Sequence, residues 1–231
     1  MISGEQMDFV TWEPIYEAII TDLGFDRRED ERARDCLAAL LQPYSLDRLS
    51  LDGERVAIVA GAALGEAAIR SLDGDEQLVC TGDALARLQA SGRPVRLVVT
   101  DLDSDPARVC RRSHRGGAVS IHAHGDNIDL LESWVPRMNR LVVVGTTQVR
   151  PIPPLCNVGG FTDGDRAAFI ADHLGADTLR FVGWDLESST VSSSKRRKLD
   201  WAIRLLLTLE DERGERYPML DGLRDAFDPI G

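Results

Sequence analysis

The sequence predicts an α/β protein built on a doubly wound, mostly parallel sheet. From residue 51 onward, short apolar runs alternate with helical stretches, which is the pattern of βαβ units. The runs are rich in β-branched residues and have polar flanks, as expected of strands buried on both faces of a parallel sheet. At 231 residues the chain is long enough to bury one such core. We expect residues 1–50 to form an N-terminal helical segment and residues 51–231 to form the α/β domain.

Two helices are predicted between residues 10 and 42. In the first, apolar residues recur at helical spacing from Trp12 to Leu23, and Gly24 ends the helix. The second runs from about Arg28 to Leu41. The aromatic residues of the first helix are expected to pack in the core rather than to bind a ligand.

Six strands are predicted after residue 50, separated by helices. They are Val56–Ala60, Gln77–Cys80, Val95–Thr100, Ala118–His122, Leu141–Val144 and Leu179–Gly183. A helix is expected to follow Gly159 and Gly160 and to end near Leu174, and the last amphipathic helix is expected from Leu199 to about Leu209. The sequence contains no repeat and no linker that would mark a second large domain.

Composition excludes several classes of partner. The net charge of −11 makes nucleic acid and anionic membranes unfavourable partners. No apolar run approaches a membrane span, no N-terminal signal is apparent, and the four scattered cysteines lack CxxC spacing. We therefore expect a cytoplasmic protein with reduced thiols that acts on small molecules, and the sequence leaves a homo-oligomer open. Only two of the 27 basic residues are lysines, which is compatible with high salt or with a GC-rich genome.

Three carboxylates follow the predicted strand Val95–Thr100 directly. They are Asp101, Asp103 and Asp105. Ligands of parallel sheets bind at the carboxyl ends of the strands, and closely spaced carboxylates suit a hard cation. The alternative is that these residues cap the next helix. Because three like charges in five residues repel one another, the pattern favours a bound cation at Asp101 and Asp103.

Other strand ends also carry candidate ligand-binding residues. Asp126 and Asp185 follow two of the predicted strands, where either can contact a metal or a ligand. Gly61 opens a helix after the first strand, which is compatible with a phosphate site and equally with a tight turn.

A capping box is predicted at Thr162 and Asp165, which leaves Asp163 and Arg166 in the first helical turn to face a ligand. A guanidinium there would suit a polyphosphate. The two lysines, Lys195 and Lys198, follow a serine-rich loop. One alternative is that they form the solvated start of a helix. Because positive charge is unfavourable at a helix N-terminus, we expect them instead to face an anion.

The segment Ala118–Asn127 contains an HxHxD pattern that resembles the metallo-β-lactamase motif. A dinuclear zinc site of that type needs more histidines than this chain provides, since it has only four. His122 is therefore either a half-buried structural histidine or part of a substrate site.

Motifs along nearly the whole chain resemble those of the archaeal 6-hydroxymethyl-7,8-dihydropterin pyrophosphokinases. They are VTDLD, HAHGDN, TTQ, GGFTDGDRA, GWD and KxxKL, in that order. The resemblance implies a thiamin pyrophosphokinase-like fold. It also implies Mg²⁺ at Asp101 and Asp103, Asp126 and Asp163 near the triphosphate, and phosphate binding by the two lysines.

Two segments depart from the family pattern. The first loop reads Ala60-Gly61-Ala62-Ala63-Leu64 in place of GxGPSL, and Trp184 stands in GWDL where the family has GMDF. Although these two segments differ from the family pattern, we predict nucleotide or phosphate binding by Gly61, Asp163, Arg166, Lys195 and Lys198. We predict catalytic roles for Asp101, Asp103, Asp126 and Asp185. The predicted substrate-binding residues are His122, His124, Asn127, Thr147, Gln148 and Asn157.

The predicted reaction is Mg²⁺-dependent transfer of the diphosphate of ATP to the pterin hydroxymethyl group, with release of AMP. It would serve synthesis of a folate or methanopterin-type cofactor. Either Asp126 or Asp185 is expected to accept the hydroxyl proton. Two alternatives stay open: a phosphatase of the haloacid dehalogenase type that uses the Asp-x-Asp pair, and a nucleotide sensor without turnover.

Overall fold

The computed structural model describes residues 7–43 and 46–230. Two helices open the described chain, and six strands then alternate with six further helices. The helices are α1 Phe9–Leu23, α2 Arg27–Leu40, α3 Glu66–Arg70, α4 Leu85–Ala90, α5 Pro106–His114, α6 Ile128–Trp134, α7 Asp163–His173 and α8 Ser193–Arg213. The strands are β1 Arg55–Val59, β2 Gln77–Thr81, β3 Leu97–Thr100, β4 Ala118–Ala123, β5 Val143–Thr147 and β6 Thr178–Val182.

The six strands form one parallel sheet in the order β5-β4-β3-β2-β1-β6. The chain moves outward from β1 to β5 and then returns to place β6 beside β1. The order of strands therefore reverses between β1 and β6, which is where open α/β sheets have their topological switch point. The predicted doubly wound parallel fold is confirmed.

Helices cover both faces of the sheet. Alternate residues of β1 point to opposite faces: Ile58 packs with α1, α7 and α8, whereas Ala57 and Val59 pack with α2 to α6. Both faces are apolar, which explains why the strands are continuous apolar runs rather than alternating patterns. In the described part of the chain, no helix is long and apolar enough to span a membrane.

The N-terminal segment packs into the core of the α/β unit. Trp12, Tyr16 and Ile19 of α1 are fully buried in the cluster that also contains strand residues such as Ile58. Gly24 ends α1 in the left-handed conformation, at a φ of 75°, as predicted. The division of the chain at residue 50 stays a prediction, and residues of both parts pack together in each of the two hydrophobic clusters that flank the sheet.

Two elements differ from their predicted bounds. β5 begins at Val143 and extends to Thr147, because Val143 is the first residue that pairs with β4, whereas Leu141 lies in a 3₁₀ turn and is 66% exposed. α8 begins at Ser193 rather than at Leu199, since the Ser192 hydroxyl accepts a hydrogen bond from the Lys195 N–H and caps the helix. α8 also extends to Arg213, four residues beyond the predicted end near Leu209. The bounds of the other five strands lie within two residues of the predicted ones.

Candidate functional site

A cavity of about 680 Å³ opens at the carboxyl ends of the strands. Its wall combines residues that follow the strands, the first turns of α7 and α8, and the connection between α1 and α2. Most of the predicted site residues lie on this wall. They are Asp101, Asp103, His122, His124, Asp126, Gln148, Asp163, Arg166, Asp185, Lys195 and Lys198.

The centre of the cavity is formed by the turn after β3. Leu102 has a φ of 72°, in the left-handed region that a branched side chain seldom adopts and that costs about 1–3 kcal/mol. Its side chain is fully buried, and its N–H donates to the Thr100 hydroxyl at 3.0 Å. This turn brings the Asp103 N–H to 3.1 Å from Asp101 Oδ1. The two predicted metal ligands therefore lie side by side on a turn held in place by the core.

The third carboxylate of the motif has a different position. Asp105 caps α5: its Oδ1 accepts a hydrogen bond from the Arg108 N–H at 3.0 Å, and its Oδ2 accepts one from Arg108 Nε at 2.9 Å. It is not on the cavity wall. Helix capping and cation binding were alternatives for the whole triplet, and the structure divides the triplet between a helix cap and two cavity residues.

The carboxylates at the cavity influence one another. Burial and the charge of Asp101 raise the pKa of Asp103. Burial and the same charge raise the pKa of Asp163 well above its ordinary range. Burial opposes ionisation of Asp101 too, but hydrogen bonds from His124 and from the Asp103 N–H outweigh it and lower the pKa of Asp101. The site thus concentrates negative charge that a cation would stabilise.

Asp83 is a further cavity carboxylate that sequence reasoning missed. It follows β2, and its Oδ1 accepts hydrogen bonds from the Thr81 hydroxyl and, at 3.2 Å, from the Gly61 N–H. A Cβ atom on Gly61 would lie 2.5 Å from the Asp83 carboxyl carbon. Gly61 therefore allows the β1 turn to approach Asp83 and is itself absent from the cavity wall. The signal was available in the sequence, because Asp83 lies three residues after the end of a predicted strand.

His122 and Gln148 form a buried polar edge of the cavity, 2% and 4% exposed. His122 Nδ1 lies 3.1 Å from the Thr146 hydroxyl, and its Nε2 lies 3.4 Å from Gln148 Oε1. Burial and the positive charge of Arg166 lower the pKa of His122, so the imidazole is neutral at neutral pH. His122 is hydrogen-bonded and fully buried rather than half-buried, and it lines the cavity; its contact with substrate stays a prediction.

His124 connects the loop after β4 to the carboxylate pair. Its Nδ1 accepts a hydrogen bond from the Asp126 N–H at 3.3 Å, which leaves Nε2 as the donor to Asp101 Oδ2 at 3.2 Å. The Asn127 amide nitrogen donates to the backbone oxygens of Asp101 and His122, at 2.8 Å each. Asn127 therefore joins the ends of β3 and β4 beneath the site.

The first turn of α7 contains the predicted capping box. Asp165 accepts hydrogen bonds from the Phe161 and Thr162 N–H groups, and burial raises its pKa despite them. Arg166 was expected to be free for a ligand. It is only 3% exposed, and it donates to the Phe161 carbonyl at 2.6 Å and to Asp163 Oδ1 at 3.2 Å. Its side chain already has partners, although it reaches the cavity wall.

The first turn of α8 also lies on the cavity wall. Lys195 is exposed, and the Lys198 ammonium lies 5.2 Å from the centre of the Phe25 ring in the α1–α2 connection. The cation–π contact holds Lys198 across the cavity mouth. Asp185, which follows β6, is exposed at the same mouth.

The remaining predicted site residues lie behind the wall. Thr147 accepts a hydrogen bond from the Val149 N–H, and the Asn157 side chain donates to the Val149 carbonyl, each at 3.4 Å. These contacts fix the loop that carries Gln148. Together with Gly61 and Asn127, Thr147 and Asn157 are supporting residues in this structure, and direct contact with substrate stays a prediction for each.

The chain is similar in sequence to known proteins. The family described as 6-hydroxymethylpterin diphosphokinase, MptE-like, matches residues 46–190. The chain is 32% identical over 234 residues to the 6-hydroxymethyl-7,8-dihydropterin pyrophosphokinase of Methanothermobacter thermautotrophicus, a match that covers 91% of this chain and 100% of the relative. It is 32% identical over 226 residues to the protein of the same name from Pyrococcus furiosus, with coverage of 89% and 95%.

A third relative of that name, from Methanocaldococcus jannaschii, is 30% identical over 195 residues, with coverage of 78% of this chain and 80% of the relative. The family match spans more than half of the chain and includes the cavity residues from Asp83 to Asp185. The chain therefore belongs to the MptE-like family of 6-hydroxymethylpterin diphosphokinases and is an enzyme of the diphosphokinase class.

Proposed function

We propose that this enzyme transfers the diphosphate of ATP to the hydroxymethyl group of 6-hydroxymethyl-7,8-dihydropterin and releases AMP. One observation carries the proposal: the carboxylates around Asp101 and the two lysines of α8 line the same cavity. A polyphosphate with its cation needs both kinds of group. Three relatives that match most of the chain have the name of this activity.

The donor set of the cavity fits Mg²⁺. Asp101 and Asp103 offer carboxylate oxygens, and the raised pKa of Asp103 reflects burial and the nearby charge of Asp101, which a cation would offset. Within the described residues, no three acidic, histidine or cysteine side chains are arranged to hold a metal alone. Mg²⁺ is commonly bound by one or two carboxylates together with substrate phosphates, so a two-carboxylate site supports this ion. Mg²⁺ would neutralise charge on the phosphoryl oxygens as the diphosphate moves.

The chain's own residues are proposed to position the reactants. Diphosphoryl transfer requires the hydroxyl oxygen, the β-phosphorus and the leaving oxygen to lie in line, and positioning contributes much of such catalysis. Lys195 and Lys198 would bind phosphate oxygens from the mouth of the cavity. Arg166, held by Asp163 and Phe161, would supply fixed positive charge beneath them.

The proton of the attacking hydroxyl requires an acceptor. Asp126 and Asp185 both face the cavity and are exposed, after β4 and β6 respectively. Either can accept this proton directly or through one water molecule. We propose that the product serves the synthesis of a reduced pterin cofactor of the folate or methanopterin type.

The product of one reaction tests the proposal. The protein is incubated with ATP, Mg²⁺ and 6-hydroxymethyl-7,8-dihydropterin, and the nucleotides are separated by chromatography. AMP formed in equal amount to the pterin diphosphate supports the proposal. Stoichiometric ADP would indicate a simple kinase, free phosphate alone a phosphatase that uses Asp101 and Asp103, and binding without turnover a sensor; each of these outcomes contradicts it.

A further inference from the structure

The N-terminal helices hold Gln148 at the cavity from two directions. Trp12 Nε1 of α1 donates to the Gln148 backbone oxygen at 2.7 Å. Asp30 Oδ2 of α2 accepts a hydrogen bond from Gln148 Nε2 at 2.6 Å. Trp12 is fully buried and Asp30 is 4% exposed, so both contacts are shielded from solvent. The position and the rotation of this amide are therefore set by α1 and α2.

Asp30 is a buried carboxylate whose hydrogen bonds come from uncharged donors. Its Oδ2 also accepts from the Tyr16 hydroxyl at 2.7 Å, and its Oδ1 accepts from the Gly125 N–H at 2.8 Å. Burial of a carboxylate is costly even when it is hydrogen-bonded. A Cβ atom on Gly125 would lie 2.6 Å from Glu29 Cβ, so α2 and the loop after β4 approach closely here. This arrangement lowers the stability of the fold, but it fixes the position of the Gln148 side chain at the cavity.

The carboxylate also determines the orientation of the Gln148 amide, which lines the cavity. Asp30 accepts all of its hydrogen bonds here, so the Gln148 nitrogen points toward it and the Gln148 oxygen toward His122. His122, which is neutral, then carries its proton on Nε2 and can accept from the Thr146 hydroxyl at Nδ1. Asp30 on α2 thus orients both Gln148, which follows β5, and His122, which lies on β4.

The resulting edge is complementary to a lactam. A primary amide offers an N–H donor beside a carbonyl acceptor, and the pteridine ring of the acceptor substrate has a ring N–H beside a carbonyl. Each partner can donate one hydrogen bond and accept one. A fixed donor–acceptor pair in a buried wall discriminates strongly against ligands that cannot match it.

The order of the strands separates this edge from the phosphate region. Gln148 follows β5 and His122 lies on β4, whereas the carboxylates follow β2 and β3 in the middle of the sheet. The topological switch point, where nucleotides commonly bind, lies at the other end between β1 and β6. A heterocycle at the β4–β5 end and a nucleotide at the β1–β6 end would meet above the carboxylates.

We infer that α1 and α2 form the pterin-binding half of the active site and that Asp30 is a positioning residue that orients Gln148 toward the lactam edge of the pterin. The inference rests on the proposed function and extends it to substrate recognition. Asp30 acts through Gln148 and does not take part in the transfer itself.

Asp30→Asn tests the inference because it changes the polarity of the contact but hardly its shape. The new side-chain amide can donate toward Gln148, so the Gln148 amide would rotate and exchange the donor and acceptor that face the cavity. We expect the KM for the pterin to rise roughly tenfold or more, because buried polar groups would then be mismatched. The KM for ATP should stay within about twofold of the wild-type value. Steady-state kinetics with each substrate varied in turn measures both.

Asp35→Asn is the matched control. It removes the same charge from the same helix, but Asp35 pairs with its neighbour Arg34 outside the cavity. Both KM values should be unchanged. Equal increases in both KM values for Asp30→Asn, an increase for ATP alone, or no increase would each overturn the inference.

A second variant separates positioning from a general loss of structure. Gln148→Met removes the amide directly, and we expect the same selective increase in pterin KM. If Asp30 acts through Gln148, the double variant should resemble Gln148→Met alone rather than the product of the two effects. If Asp30→Asn does not fold, Gln148→Met alone decides, and an unchanged pterin KM would refute the inference.

Calorimetric titration distinguishes failure of this inference from failure of the proposed function. Wild-type protein, Asp30→Asn and Gln148→Met are each titrated with 6-hydroxymethyl-7,8-dihydropterin and with a non-hydrolysable ATP analogue. If the wild-type protein forms no AMP but the two variants bind the pterin more weakly and the ATP analogue as before, the proposed reaction fails and the subsite stands. If AMP forms normally and the variants bind pterin like the wild-type protein, the subsite fails and the reaction stands.

Discussion

At the scale of single residues, the turn after β3 combines backbone strain with concentrated charge. Leu102 in the left-handed conformation is held by its fully buried side chain, and the turn places two carboxylates at one point. Neither feature favours folding by itself. Such features are typical of functional sites, where local stability is lower so that a ligand can be bound.

We expect Asp101→Asn and Asp103→Asn each to lower kcat by orders of magnitude while the fold stays intact. Each substitution removes a proposed ligand charge from a turn and no buried apolar area. Asp105→Asn is a matched control from the same motif, because Asp105 caps α5 and asparagine is an equally good cap. Kinetics at saturating Mg²⁺ and circular dichroism measure both effects. Near wild-type turnover in either cavity variant would contradict the metal assignment.

Metal binding should depend on pH in a defined direction. The pKa of both Asp103 and Asp163 is raised in the folded protein. In the metal-free protein, stability from these groups is present below their unfolded pKa and is lost as pH rises through their folded pKa. Mg²⁺ should offset this loss, so its increase of Tm should be larger at about pH 8 than at about pH 5.

Thermal unfolding with Mg²⁺ or EDTA measures this difference, with NaCl added to match ionic strength. Asp103→Asn should abolish most of the Mg²⁺ effect at the higher pH. An equal increase of Tm at both pH values would show that the cation does not compete with protons at these carboxylates.

At the scale of elements, the strands were predictable and some ends were not. Buried parallel strands appear as apolar runs, so all six were found from local pattern. The start of α8 was missed because serine-rich segments are typical of loops, whereas Ser192 caps a helix that includes Ser193 and Ser194.

The site was predictable wherever a polar residue directly follows a strand, since the carboxyl ends of parallel strands meet at one edge. Asp30 could not be found in this way. It lies in the charged sequence RREDER of α2, where an acidic residue is expected to be exposed. Its partners Gly125 and Gln148 are 95 and 118 residues away, so only the tertiary fold brings them together.

The first turn of α8 gives a prediction about its lysines. Lys195 and Lys198 are three residues apart and both reach the cavity. A compact ammonium can fit between phosphate oxygens where a planar guanidinium is too wide. We expect Lys→Arg at either position to raise the KM for ATP or to lower kcat several-fold, a loss of about 1 kcal/mol or more in transition-state binding. Thermal stability should change by no more than about 0.5 kcal/mol, as is usual at exposed sites.

Arg197→Lys is the corresponding control, because Arg197 lies between the two lysines and pairs with Asp22 outside the cavity. This variant replaces an arginine by a lysine on the same helical turn, and it should leave the KM for ATP and kcat unchanged. If both Lys→Arg variants retain wild-type kinetics, the shape of the lysine side chain is irrelevant and the proposed role of these residues is reduced to charge.

At the scale of the whole molecule, a strongly acidic protein has to bind an anionic nucleotide. The net charge of −11 disfavours a polyphosphate at long range, but this interaction is screened within about 10 Å at moderate salt. Local cations at the cavity therefore matter more than net charge. The two lysines and Arg166 are located where the proposed phosphates would lie. Added salt should weaken the long-range repulsion more than it weakens these local contacts.

The N-terminal helices connect stability to the site, and their removal gives the last prediction. Five side chains of α1 are buried in the core shared with the sheet: Trp12, Ile15, Tyr16, Ile19 and Ile20. At about 1.5–3 kcal/mol for each buried side chain, they contribute on the order of 10 kcal/mol, comparable with the whole stability of a typical domain. A chain that begins at Leu51 should therefore lack a cooperative thermal transition. In the full chain, Trp12→Ala should unfold cooperatively with a loss of about 3–5 kcal/mol. Scanning calorimetry of both proteins decides the matter: a cooperative transition in the shortened chain would show that residues 51–231 form an independent domain and that α1 and α2 only cover it.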